Sequence, residues 1–150
     1  NYWDRKTSAF VGHYRSTVTD QFVPYVSPQE NGYKTDVRWL ALYNSEGQGI
    51  YFQGMPLICF SALHYTLEDL TQTQRGTRHT IDLQPRPFIE LNIDYRQTGV
   101  GGNNSWGARP LDKYTLWPQE YSYTFRMRPL DNPDQLKKLN KIKFVLPATK

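Results

Sequence analysis

Two stretches of this sequence alternate apolar and polar residues without a break, and that pattern constrains the fold more than any other feature. Ile89, Leu91, Ile93 and Tyr95 fall on one side of an extended chain, with Glu90, Asn92 and Asp94 on the other. Tyr121, Tyr123, Phe125 and Met127 alternate in the same way with Ser122, Thr124, Arg126 and Arg128. A period of two belongs to a β-strand; a helix would scatter these residues around its circumference. Both stretches therefore predict strands with one packed and one aqueous face, over residues 88–95 and 120–128. Residues 36–43 carry Val37, Trp39 and Ala41 on one side and Leu40 and Leu42 on the other, the mark of a strand covered on both faces. Asn44-Ser45-Glu46-Gly47 reads as a hairpin turn into Ile50-Tyr51-Phe52, and residues 57–62 as a further strand.

The composition points the same way. Aromatic residues make up 15% of the 150, including 11 Tyr and 4 Trp, a bias that favours strands. One helix is predicted, over residues 66–73, where Thr66 stands three residues before Asp69 in a capping pattern. Near the C-terminus, residues 134–143 read either as a short amphipathic helix or as a lysine-rich edge strand. The single cysteine, Cys59, lies in an apolar run and reads as a buried, inert thiol. The net charge of +4 comes from interspersed bases and a Lys137–Lys143 cluster, which excludes a nucleic-acid footprint. No apolar run reaches the length of a membrane span. His13, His64 and His79 are too widely separated for a zinc site, and His64 reads as a hydrogen-bonded structural residue.

Between the two alternating strands lies Gly99-Val100-Gly101-Gly102-Asn103-Asn104-Ser105-Trp106-Gly107. One large aromatic ends a loop made otherwise of small residues. Two readings follow: a flat platform offered to a ligand, or a Trp folded back onto a sheet edge. The run has no Lys-Ser/Thr and opens no helix, so it is not a phosphate loop.

Five motifs in order carry a resemblance. They are Asn1-Tyr2-Trp3-Asp4-Arg5, Pro24-Tyr25-Val26-x-Pro28-x-Glu30-Asn31-Gly32, residues 60–70, Leu91-Asn92-Ile93-Asp94-Tyr95 and the glycine-rich loop itself. Together they resemble the C-terminal small-chain region of bacterial β-galactosidases of glycoside hydrolase family 2, over about residues 1–129. The resemblance implies an all-β fold: an antiparallel β-sandwich with one short helix, part of a galactose-mutarotase-like supersandwich. It implies that residues 1–150 are the second half of the small-chain domain, with 130–150 as a C-terminal extension. It also implies a fragment entered inside a motif, for which no leader is expected and whose unpaired edges favour self-association into a homo-oligomer.

The family's catalytic glutamates lie in a central barrel, so the resemblance implies no catalytic residue here. Trp106 takes the role of a stacking platform for the aglycone of a β-galactoside or for glucose, with Asn103, Asn104 and Ser105 as loop neighbours. Asn103 and Asn104 stand where the family commonly has acids, which removes charge but keeps hydrogen-bonding capacity. No metal or cofactor is expected in this chain, while Mg2+ and Na+ sites of the parent enzyme would lie outside it. The expected partners are the sugar and the parent's other domains, with no nucleic acid and no membrane; the parent's compartment would be bacterial cytoplasm or periplasm. A free-standing carbohydrate-binding module is the alternative, and a mutarotase-like aldose epimerase a more distant one.

Overall fold

The computed structural model describes residues 2–5, 10–26, 31–71, 78–104 and 106–143. Four strands form: β1 (Lys34–Tyr43), β2 (Gly49–Leu63), β3 (Glu90–Asp94) and β4 (Thr124–Leu130). All of the other strands pair with β2. β3 runs antiparallel to it from Cys59 opposite Asp94 to Leu63 opposite Glu90, and β4 from Gly49 opposite Leu130 to Met55 opposite Thr124. Among the described residues there is one four-residue α-helix, α1 (Leu136–Leu139), besides four single 3-10 turns. The fold is thus all-β, antiparallel and open among the described residues, with one short helix.

The helix is not where the sequence put it. Around Thr66 the capping box forms as expected: the Asp69 carboxylate accepts the Thr66 N–H at 3.0 Å, and the Thr66 hydroxyl accepts the Asp69 N–H at 3.2 Å. Only a single turn follows, with Leu70 N–H reaching the Thr66 carbonyl. Arg78 also donates to the Glu68 and Asp69 carbonyls. A first turn fixes several dihedrals for one hydrogen bond, so a turn stopped there stays a turn. The rest of the predicted helix, residues 72–77, lies outside the described residues.

Two more boundaries differ from expectation, each for a local reason. The strands predicted around Ile50 and over 57–62 are one continuous strand, β2. Gly54 permits this: a Cβ there would meet the Leu57 backbone at 2.6 Å, so only glycine lets the chain pass so close to itself. β4 begins at Thr124, not at 120, because its ladder stops at Met55 and the next residue of β2 is Pro56, which has no N–H to donate.

The chain divides into two compact units, residues 1–35 with 59–118, and residues 36–58 with 119–150. They interleave in sequence, so no single cut separates them. In the first, Val26, Leu63, Leu70 and Leu83 form a buried cluster flanked by Phe22 and Tyr65. In the second, Tyr51, Leu130 and Leu139 are buried, with Trp39, Ala41, Tyr43 and Leu136 against them. The Trp39 and Tyr51 rings stack at 5.9 Å. The buried Leu139 settles the C-terminal alternative in favour of the helix. Cys59 is a buried thiol in no disulfide, as its setting required.

Neither alternating strand has one packed and one aqueous face: both sides of β3 are half-buried, and both sides of β4 are largely exposed. The polar side of β3 is not aqueous: Asn92 donates to the Ser61 hydroxyl at 3.2 Å, and the buried Tyr33 hydroxyl faces Cys59 and Asp94. Burial raises the Asp94 pKa, which the Tyr33 hydroxyl partly offsets, and burial also drives the Tyr33 hydroxyl upward. The apolar side of β4, by contrast, stays open. Phe125 is 37% exposed and Met127 64%.

Candidate functional site

The glycine-rich loop leaves β3 through Tyr95 and Arg96 and is fastened at its base from the beginning of the chain. The Asp4 side chain, 5% exposed, accepts the Val100 N–H at 3.2 Å and the Gly101 N–H at 2.8 Å. Arg5 donates to the Gly101 carbonyl and pairs with Asp4 at 3.2 Å. Trp3 meets Tyr114 edge-on at 5.4 Å, and the Arg96 guanidinium lies 4.5 Å from the centre of the Trp3 ring. The Tyr114 carbonyl in turn accepts the Gly99 N–H at 2.8 Å.

These contacts explain two of the glycines. A Cβ on Gly99 would stand 2.5 Å from the Asp4 carboxyl carbon, so the buried carboxylate fits only against glycine. Gly101 has φ +65°, and a Cβ there would collide with the Ala108 carbonyl. The backbone then closes with Gly102 N–H on the Ala108 carbonyl at 2.7 Å.

Above this base the loop is organised by Asn104. Its side-chain oxygen accepts the Trp106 N–H at 2.9 Å and the Ala108 N–H at 3.2 Å. That places Asn104 in a framework role, one an aspartate would fill equally well, since both offer an acceptor oxygen. Asn103 is exposed, and Ser105 lies outside the described residues. Trp106 itself projects with 92% of its surface exposed. The folded-back reading of this residue is therefore excluded: its indole packs on no sheet edge.

The other candidates have structural employment. His64 Nδ1 lies 3.2 Å from the Phe88 carbonyl, and the Asp82 carboxylate accepts the His79 N–H. Arg86 holds Asp69 through two nitrogens, at 2.9 and 2.7 Å, and this guanidinium keeps the Asp69 carboxyl down at about 2. Among the described residues no cluster of His, Cys, Asp or Glu could hold a metal ion. No helix among the described residues is long and apolar enough to cross a membrane.

Sequence reasoning missed the part played by Asp4 and Arg5. Both were visible as members of the first motif, yet nothing in one sequence ties residues 4 and 5 to a loop nearly a hundred positions later. Asp94 was read as lining an aqueous face, and its enclosure by Tyr33 was equally invisible.

Comparison with known proteins agrees with the motifs. A family model described as beta galactosidase small chain matches residues 1–127. A beta-galactosidase of Priestia megaterium is 38% identical over 131 residues, which are 87% of this chain and 12% of that protein. Beta-galactosidases of Pseudoalteromonas haloplanktis and Halalkalibacterium halodurans are 31% and 36% identical, over 85% and 77% of this chain and 11% of each relative. The chain thus spans about an eighth of the length of the curated relatives it matches.

Proposed function

Since the chain belongs to the beta-galactosidase small chain family, we propose that it serves as the non-catalytic small-chain portion of an enzyme hydrolysing terminal β-galactosides such as lactose. Its part is to offer Trp106 as one wall of the subsite that receives the aglycone or an acceptor glucose. The observation that carries this reading is the combination of a bare indole with a fastened loop. A pyranose has an apolar C–H face, and an indole presents a broad apolar, electron-rich surface to cover it. A core packing role would have hidden the ring, and a merely mobile loop would not be anchored by a buried carboxylate.

Hydrolysis of a glycoside needs two carboxyl groups flanking the scissile bond. Asp4, Asp69, Asp82 and Asp134 are instead committed to loop N–H groups, Arg86, His79 and Lys137. We assign the chemistry to the part of the enzyme that this chain does not represent, with any Mg2+ or Na+ sites there as well. The second layer of the sandwich is assigned to that part too, which gives the open apolar side of β4 a covering.

Assaying nitrophenyl β-galactoside hydrolysis by the complete protein and by the 150-residue chain tests the assignment. The complete protein turns over the substrate and the chain alone does not. Turnover by the chain alone would overturn its non-catalytic role, and no turnover by the complete protein would overturn the activity.

A further inference from the structure

We infer that Asp4 and Arg5 form a clasp that positions Trp106, and so are positioning residues for sugar recognition although they touch no sugar. The inference rests on the reading of Trp106 as the aglycone platform and adds what fixes its angle. Three observations carry it. The Asp4 carboxylate is nearly inaccessible and accepts two successive loop N–H groups, Val100 and Gly101. Arg5 holds the carbonyl of the same Gly101, so that peptide segment is gripped through both its donor and its acceptor. Gly99 leaves room for the carboxylate and for nothing larger than a hydrogen at its own Cα.

The grip acts on the root of the loop, and Trp106 is reached through one more set of bonds. Gly102 closes on Ala108, and Asn104 holds Trp106 and Ala108 by their N–H groups. The first link is a backbone hydrogen bond and the second is the short Asn104 side chain fixed by two N–H groups, so a shift at Gly101 is passed on to the Trp106 backbone. A platform that must lie parallel to a sugar ring tolerates little tilt, and misplacement by about 1 Å costs up to about a hundredfold where geometry matters.

The test uses the complete protein, with glucose as acceptor in galactosyl transfer. Asp4→Ala is expected to raise the acceptor KM by about ten- to a hundredfold, and to add little when combined with Trp106→Ala, because both act on one element. Asp4→Asn keeps one acceptor oxygen and turns an NH2 towards the loop, so it should fall between Asp4→Ala and the parent, and it serves if Asp4→Ala does not fold. Asp69→Asn, which weakens a different anchor, should lower stability without moving the acceptor KM. Hydrogen exchange at the Val100 and Gly101 amides should quicken in the Asp4 variants while amides of β2 keep their protection. Unchanged acceptor KM in Asp4→Ala, with Trp106→Ala impaired, overturns the clasp and leaves the platform standing. If Trp106→Ala is itself without effect, the platform reading falls and the clasp is decided by amide exchange: quickened exchange supports it, and unchanged exchange overturns it.

Discussion

The turn after β1 and the tip of the glycine-rich loop are built alike and used differently. In the turn, the Asn44 side-chain oxygen accepts the N–H groups of Glu46 and Gln48, each at 3.0 Å. In the loop, Asn104 accepts those of Trp106 and Ala108, the same two offsets along the chain. Both are followed by a glycine three residues on with positive φ, Gly47 at +86° and Gly107 at +72°. The environments diverge at that glycine. A Cβ on Gly47 would meet the Pro133 ring at 2.7 Å, whereas one on Gly107 would meet nothing within 4 Å. The first device closes a hairpin against its own unit; the second holds a large apolar side chain out in water. Local turn chemistry specifies the backbone, and what the backbone is for depends on which residue sits at its tip.

Replacing each asparagine by alanine should separate the two uses, and this is the larger of the two expected effects. Asn44→Ala loses two accepted hydrogen bonds in a turn whose Gly47 packs against Pro133, and should cost about 1–2 kcal/mol of stability, at about 1 kcal/mol for each net bond. Its acceptor KM should be unaltered. Asn104→Ala should melt closer to the parent, since nothing packs against Gly107, yet weaken glucose binding about tenfold, the scale on which lost preorganisation acts. Aspartate at either position should restore the parent behaviour. Equal melts and equal acceptor binding in the two alanine variants would erase the distinction.

A smaller effect distinguishes amide-held turns from the turn that a carboxylate holds. At Thr66 the acceptor is Asp69, kept at about 2 by Arg86 against an ordinary 3.8. A carboxyl held lower in the folded state than in the unfolded state stabilises the fold fully above the unfolded value. That contribution is lost as pH falls from about 4 towards 2. Acid titration of stability should therefore be less steep in Asp69→Asn than in the parent, while Asn44→Asp and Asn104→Asp, which put a carboxylate on two N–H groups, should be steeper than the parent. An unaltered acid slope in Asp69→Asn, followed by circular dichroism, would show that the Arg86 pair does not couple to folding.

How much of this was legible in the sequence follows from what each residue depends on. The strands were, because alternation is local: Leu91 and Ile93, or Phe125 and Met127, declare a period of two whatever surrounds them. Which side of a strand meets water was not. Tyr33 covers the polar face of β3 from a distant part of the sequence, whereas Phe125 and Met127 of β4 stay 37% and 64% exposed. The capping box at Thr66 was legible and forms, but the Arg78 side chain that donates to the Glu68 and Asp69 carbonyls from ten and nine residues on was not. At the candidate site, the glycines announced the loop, and Trp106 stood out as its one large side chain. Asp4 and Arg5 look like any exposed ion pair until the fold brings Gly101 to them.

The central claim is that Trp106 works on a ligand and contributes little to folding, and a paired acceptor titration and thermal melt of Trp106→Ala in the complete protein tests it most directly. A ring 92% exposed should cost no more than about 0.5 kcal/mol of stability when truncated, as surface substitutions do. Glucose binding as acceptor should weaken by about tenfold, matching the loss of a stacking surface contributing up to about 1.5 kcal/mol. The contrary result is an unchanged acceptor titration together with a loss of about 3–5 kcal/mol in the melt, the cost of deleting a packed aromatic.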